Sequence, residues 1–368
     1  MNAPRISFGI IVLNGEPFLR YNLRALYPHA HQIIVAEGAS PLAAHAATPD
    51  GHSIDGTLEE LRRFQREEDP ENKLIVVTAE DEGLPNGFWP GEKDQQSRAY
   101  AQRASGDWLW QIDIDEFYQP ADIERVKDYL ARNPETTCLT FRAHHFWGGF
   151  DYELRGGLFY HPRFQGELWG VYRRLFKWGP GYRYMTHRPP SVADERGRDI
   201  TRRQIHCISN GRRSVRMYHY VMLLPDQFVR KGAYYEKQPW AWERNRLKKN
   251  QAVLDEITTA NALQVMDHHG TQNWLTRFKG KHPPQIEHLR RAIANGVHQV
   301  RLRHVDDIEQ MIDTPAYHRM TRRALVIESI KALKINLRYI FWSNPRKALG
   351  NLLRAQGLLK SRVSANNK

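Results

Sequence analysis

Four apolar, strand-forming runs in the first 120 residues are separated by segments with helical spacing, and this alternation restricts the fold more than any other feature. The runs are "ISFGIIVL", "HQIIVAEGAS", "NKLIVVTAE" and "DWLWQIDID". Between them, "EPFLRYNLRALY" places Phe18, Leu19, Leu23 and Leu26 on one helical face. "SIDGTLEELRRFQREE" opens with a capping residue, Asp55 or Thr57, and acids in its first turn. "EKDQQSRAYAQRAS" is helical and stops before Gly106. Strands alternating with helices predict an α/β fold with a doubly wound, mostly parallel sheet flanked by helices. Such sheets bind ligands beyond the carboxyl ends of their strands. Asn14, Glu37, Asp81 and the run from Asp113 to Glu116 all fall at such ends.

The fourth strand raises a problem of charge. It ends in Asp113, Asp115 and Glu116, and carboxylates gathered at a strand end repel one another and resist desolvation. They call for a cation. Asp113 and Asp115 are two apart and share a face if the strand continues, whereas Glu116 faces the other way unless the strand has ended. Two hard carboxylates on one edge suit Mg²⁺ or Mn²⁺, which favour oxygen ligands and leave positions for phosphate. Lys93 and Arg98, on the helix before the motif, either reach phosphate or form a solvated helix face.

Composition narrows the class. With 41% apolar and 11% aromatic residues the chain is globular, and its 368 residues allow one large domain with an appendage, or two domains. Cys138 and Cys207 have no metal spacing and make no disulfide framework, which fits a reducing compartment. The N-terminal apolar run is too short for a signal peptide, and no stretch approaches the roughly 20 apolar residues of a membrane-spanning helix. Patterns of the GxGxxG and P-loop kinds are absent, against nicotinamide-dinucleotide enzymes and P-loop kinases. The pairs His144-His145 and His268-His269 lack the partners of a zinc site. The net charge of +13 is uneven: residues 1–150 carry 14 bases and 23 acids, and residues 319–368 carry 12 bases and one acid. The expected organisation is therefore a domain over 1–240, a helical extension over 241–318 and basic amphipathic helices over 319–368.

Taken in order, these pieces resemble a GT-A-fold glycosyltransferase of the family 2 kind. "IIVLNGEPFL" looks like the first strand and its nucleotide-contacting loop, and "IIVAEGAS" with "SIDGT" like the second strand and the acid that reads the nucleobase. "KDQQSRAYAQRASGDWLWQIDIDEF" is similar to the helix and strand that deliver an Asp-x-Asp motif. "MYHYVMLLPDQFVRK" resembles a downstream segment with a histidine near the metal. The likeness covers residues 5–240. It departs from the family in Glu37, where Asp is usual, and in residues 39–52, which look inserted.

The resemblance implies a metal-dependent enzyme that moves a sugar from a nucleotide-sugar to an acceptor hydroxyl, in bacterial-type surface glycan or glycolipid assembly. Asp113, Asp115 and His219 would hold Mn²⁺ or Mg²⁺. Asn14, Glu37, Asp81, Lys93, Arg98 and Asp113 would contact the donor, and the aromatic, Arg-rich stretch from 145 to 190 would form the acceptor side. An inverting reaction needs a carboxylate base near the acceptor. Glu167 is the choice, with Glu153, Asp194 and Glu195 as alternatives. His219 is otherwise a packed core residue, and His187 is a weaker candidate for the same role. Two other readings stay open: a nucleotidyltransferase, and a basic nucleic-acid-binding protein with an inactive domain.

In the C-terminal segment, Val326, Ile330, Leu333, Leu337 and Ile340 form one helical stripe with Lys331, Lys334 and Arg338 off it. The stripe either packs on the protein or lies on an anionic membrane face, where a lipid-linked acceptor would be found. Nucleic acid is a poorer partner for it, since no binding motif accompanies the basic residues. The expected location is cytoplasmic, peripheral on the inner membrane face if the tail meets lipid.

Overall fold

A computed structural model describes residues 3–91, 93–156, 171–209, 214–227, 229, 252–265 and 271–338. The four predicted strands form β1 (Ile6–Val12), β2 (Gln32–Glu37), β3 (Leu74–Val77) and β4 (Trp108–Asp113). They lie side by side in the order β3-β2-β1-β4, all parallel. The helices between them are α1 (Leu19–Leu26), α2 (Thr57–Glu67) and α3 (Lys93–Gln102). Helix α3 ends three residues before the predicted limit. The continuous apolar runs follow from burial on both sheet faces. On one face Phe8, Ile10, Val35 and Trp110 pack with Leu19, Leu23, Leu61 and Phe64 of α1 and α2. On the other, Ile34, Ala36 and Leu109 pack with Ala99 and Tyr100 of α3.

Beyond β4 the sheet becomes mixed. A two-residue strand β5 (Glu116–Phe117) leads into α4 (Pro120–Arg132), whose Ile123, Val126 and Leu130 close the first face. Strand β6 (Cys138–Trp147) lies antiparallel to β8 (Tyr172–Lys177), and β8 antiparallel to β4. On the far side of β6 comes β7 (Tyr152–Gly156). A hairpin of β9 (Arg183–His187) and β10 (Pro190–Ala193) covers α3. Strand β11 (Ile205–Cys207) runs parallel to β6. Strand β12 (Arg216–Met222) is parallel to β6 and antiparallel to β5, so it is placed against the acidic end of β4.

The stretch from 241 to 318, read as mainly helical, supplies a further strand. β13 (Asn273–Arg277) pairs antiparallel with β7 at the sheet edge. Helices α5 (Pro284–Ala294), α6 (Asp306–Ile312) and α7 (Pro315–Arg338) follow. Helix α7 docks through Tyr317 and Ala324 on a core with Tyr152, Trp274, Ile308 and Ile312. The Tyr317 hydroxyl donates to the Leu275 carbonyl at 3.0 Å and accepts from the Leu275 amide at 3.1 Å. The predicted stripe is not the docking face. Val326, Ile330 and Leu333 are 58%, 48% and 59% exposed. The side chains of Leu337 and Ile340 lie outside the described residues. No helix among the described residues is long and apolar enough to cross a membrane.

Candidate functional site

The acidic strand end resolves into two separate arrangements. β4 stops at Asp113, residues 114 and 115 turn, and β5 begins at Glu116. The alternation that would keep Asp113 and Asp115 on one face is therefore broken by the turn. Asp113 and Glu116 converge on Arg174 of β8, which donates to Asp113 Oδ2 at 2.8 Å and to Glu116 Oε1. Both Arg174 and Glu116 are buried. Burial alone would raise the Asp113 pKa, but the charges of Arg174 and Lys93 outweigh it and hold the carboxyl below the usual range. For Glu116 burial wins over Arg174 and pushes the carboxyl up to about 7.

Asp115 turns to β12 instead. Its carbonyl accepts from the Tyr220 amide at 2.9 Å, which fixes the turn against the strand. Its Oδ1 lies 3.4 Å from Nε2 of His219, which sits opposite Glu116 in the β5–β12 ladder. That separation is long for a hydrogen bond. It is near the spacing of two adjacent ligands on an octahedral ion with bonds of about 2.1 Å, which stand ~3 Å apart. The other ring nitrogen of His219, Nδ1, is buried and has no hydrogen-bond partner among the described residues. Among the described residues no group of three or more side chains could hold an ion. One carboxylate and one imidazole nevertheless fit Mg²⁺ or Mn²⁺ completed by ligand phosphates, because Mg²⁺ is usually held by one or two carboxylates plus substrate oxygens. The His219 ring packs on His145 and Tyr172 at 5.3 and 6.2 Å between centroids. Burial, then the neighbouring His219, keeps His145 neutral.

Asp113, Asp115 and His219 open on a cleft of about 340 Å³ beyond the ends of β1, β2 and β4, with Lys93 and Arg188 on its wall. Lys93 is the first residue of α3, so the positive end of that helix faces the same space. Gln96, one turn on, donates to the Gly38 carbonyl at 2.8 Å and ties α3 to the end of β2. Asn14 also lines the cleft, but its side chain is used in the fold: Nδ2 donates to Ala46 O at 2.7 Å and Oδ1 accepts from Ile54 N at 2.8 Å. Its backbone holds φ at 56°, a left-handed geometry that asparagine tolerates.

Glu37 stands behind the cleft wall and not in it. It is fully buried, accepting from the Ser53 amide and hydroxyl at 2.8 and 2.7 Å and facing His52 Nδ1 at 2.8 Å. The segment read as an insertion is thereby folded onto β2. Its tight seat against residues 87–89 explains Gly51, where a Cβ would meet the Gly87 carbonyl oxygen at 2.1 Å. Trp89 Nε1 donates to the Glu37 carbonyl at 2.8 Å and seals this wall.

Other predicted residues lie away from the cleft. Asp81 accepts from the Thr78 amide at 2.8 Å in the turn after β3. Arg98 donates to the Met185 carbonyl at 2.9 Å, joining α3 to β9. Asp55 accepts from Thr57 N at 3.1 Å and Glu16 N at 3.0 Å just ahead of α2, whose N-cap is Gly56 and not Asp55 or Thr57. His187 is buried with Nδ1 2.9 Å from Ser97 Oγ, and burial followed by Lys93 lowers its pKa to about 2. Glu153 is bound by His144 and Arg155, Asp194 accepts from Arg198 in a loop, and Glu195 pairs with Arg196 in the open. Glu167 lies outside the described residues.

Sequence reasoning missed three groups. Arg174 had a faint signal, a base inside the apolar half of "YRRLF". Arg188 lies beside His187 in the Arg-rich stretch from 145 to 190, with no spacing that sets it apart from the other bases there. Glu16 lines the cleft with Oε1 buried and unpartnered among the described residues, and burial, then Glu60 and Asp55, raises its pKa to about 7. It follows the first strand in "IIVLNGEPFL" and has no neighbouring acid in the sequence to mark it.

No family model and no curated protein matches the chain. Among solved structures, it is similar to TarS 1-349 of S. aureus, with 8% identity and a TM-score of 0.35 over 71% of this chain and 77% of that one. The same TarS fragment in complex with UDP gives 10% identity and a TM-score of 0.34, over 72% and 76%. Glucosyl-3-phosphoglycerate synthase from Mycobacterium tuberculosis, in complex with Mn²⁺ and UDP-glucose, gives 17% identity and a TM-score of 0.28. That match spans 39% of this chain and 44% of the synthase. Scores at this level transfer no residue role, and the site rests on this chain's own geometry.

Proposed function

We propose that the chain is a glycosyltransferase that binds a nucleotide-sugar in the cleft beyond β1, β2 and β4 and passes the sugar to an acceptor hydroxyl. The observation that carries this reading is the Asp115–His219 pair facing a cleft whose wall also presents Lys93, Arg188 and the N-terminus of α3. A diphosphate is the ligand whose charge such a wall would balance, and a leaving diphosphate gains charge as the sugar departs. Asp115 and His219 would hold Mn²⁺ or Mg²⁺, which when bound would supply a Lewis acid for the phosphate oxygens. Lys93 and Arg188 would orient the diphosphate by charge-assisted hydrogen bonds. Asp113, neutralised by Arg174, would shape the site near the donor. Glu37 would act indirectly, by fixing His52 and Ser53 and so the nucleoside wall. Asp81 and Arg98 would stiffen the elements that carry that wall.

For the acceptor we favour a glycan or lipid-linked hydroxyl, in assembly of a surface glycan or glycolipid. The support is the outward apolar stripe of α7, which would lie on an anionic membrane face with Lys331 and Lys334 beside it. Glu167 is retained as the proposed base. The decisive experiment incubates the protein with a panel of nucleotide-sugars, UDP-glucose first, with Mn²⁺, with Mg²⁺ and with EDTA. Release of nucleoside diphosphate from one donor, lost in EDTA, is expected. Release from none, with intact folding, would refute the reading.

A further inference from the structure

A second cavity, of about 370 Å³, lies between β7, β13 and α7. It is on the other side of β6 from the donor cleft. His144 and His145 are neighbours in that strand and point to opposite faces. His145 packs on His219, whereas His144 Nδ1 is 2.7 Å from Glu153 Oε2 at the second cavity. Four cationic side chains line it: Arg155 from β7, Arg277 and Lys279 from the β13 end, and Arg322 from α7. Among the described residues Glu153 is the one acid in its wall, and its oxygens are already taken by His144 and Arg155. Glu309 and Asp313, behind Arg277, hold that guanidinium at 2.9 Å or closer through Nε and Nη2. Counting those two carboxylates with Glu153, the described residues place four positive charges against three negative ones, a net of one positive charge. Lys279 and Arg322 make no ion pair among the described residues. Thr276 and Thr321 add hydroxyls, and Trp274 forms an apolar floor.

We infer that this cavity is an accessory binding site for a phosphate-bearing ligand, separate from the donor cleft. Arginine forks and a lysine point charge converging from three elements match the several acceptor oxygens of a phosphate. A positive cavity with low-dielectric walls also concentrates such anions. Close by on α7, one turn past Arg322, begins the exposed stripe of Val326, Ile327 and Ile330. The same phosphate chemistry can therefore come from a lipid headgroup or from a free phosphorylated solute.

The test uses the full chain and the charge-reversing double variant Lys279→Glu/Arg322→Glu. Both positions are exposed, so the fold should be kept, and an unchanged melting temperature checks this. Inorganic pyrophosphate is titrated in EDTA, and vesicles with and without phosphatidic acid are tested by sedimentation. The parent should bind pyrophosphate, phosphatidic acid vesicles or both, and the double variant should bind at least tenfold more weakly. Asp115→Ala, in the other cleft, should leave this binding unchanged. Vesicle binding alone would assign the phosphate to a headgroup, and pyrophosphate binding alone to a solute. Binding of neither probe, equal binding by the double variant, or loss of binding in Asp115→Ala would overturn the inference.

Discussion

At Arg174 one guanidinium faces two carboxylates where little water can enter. Removing one member of a buried ion cluster leaves the others uncompensated, at a cost of about 3–5 kcal/mol. Arg174→Met should therefore lower unfolding stability by about that amount at neutral pH, measured by urea denaturation. A loss under about 1 kcal/mol would mean that the cluster is hydrated in solution. Glu16 gives a pH prediction with a definite sign. Its folded pKa of about 7 exceeds the ordinary glutamate value of 4.5. The native state then holds a proton that the unfolded chain has released between these values. The favourable contribution is complete below about pH 4.5 and is lost as pH rises through 7. Glu116 acts in the same direction. Glu16→Gln should reduce the fall in denaturation midpoint between pH 5 and pH 8, and an unchanged fall would remove Glu16 as its source. The acids of this region were legible in the sequence because a strand cannot end in three carboxylates without a partner. Arg174 was not, because it comes from a strand 61 residues after Asp113 and reaches it only through sheet pairing.

At the scale of elements, the turn after β4 decides which acid does what. It sends Asp113 to Arg174 and Asp115 to β12, a division that residue spacing could not reveal without knowing where the strand stops. The four parallel strands were legible because burial on both faces demands unbroken apolar runs. β13 was not, since five residues at a sheet edge carry little pattern. Helix α7 shows another limit: apolar spacing identifies a face, but not whether that face meets the protein. Val326, Ile330 and Leu333 of its stripe are exposed, so Ile330→Ser/Leu333→Ser should change stability by no more than about 0.5 kcal/mol. The same variant should weaken sedimentation with anionic vesicles if the stripe lies on lipid. A large drop in melting temperature would instead show that the stripe is covered. At β12, His219→Ala should lower Mn²⁺-dependent nucleotide affinity at least tenfold and leave the chain folded. Lower stability with unchanged affinity would make His219 a packing residue.

Across the whole molecule, charge and function are distributed unevenly. Residues 1–150 carry a net charge of 14 − 23 = −9, yet they build most of the cleft proposed for an anionic donor. The balance is local: Lys93 and Arg188 in the wall, α3 by its dipole, and Arg174 cancelling the carboxylates beneath. Overall charge thus says little about the ligand, whereas the order of strands places the cleft. The central claim is that Asp115 and His219 form the ion-dependent floor of a nucleotide site. Its most direct test is calorimetric titration of UDP and GDP into the parent and Asp115→Ala, each with Mn²⁺ and with EDTA. The parent should bind one of the two in Mn²⁺ and lose that binding in EDTA, while Asp115→Ala should bind neither and melt no lower than the parent. Nucleotide binding that is equal in the two proteins and indifferent to EDTA would contradict the account.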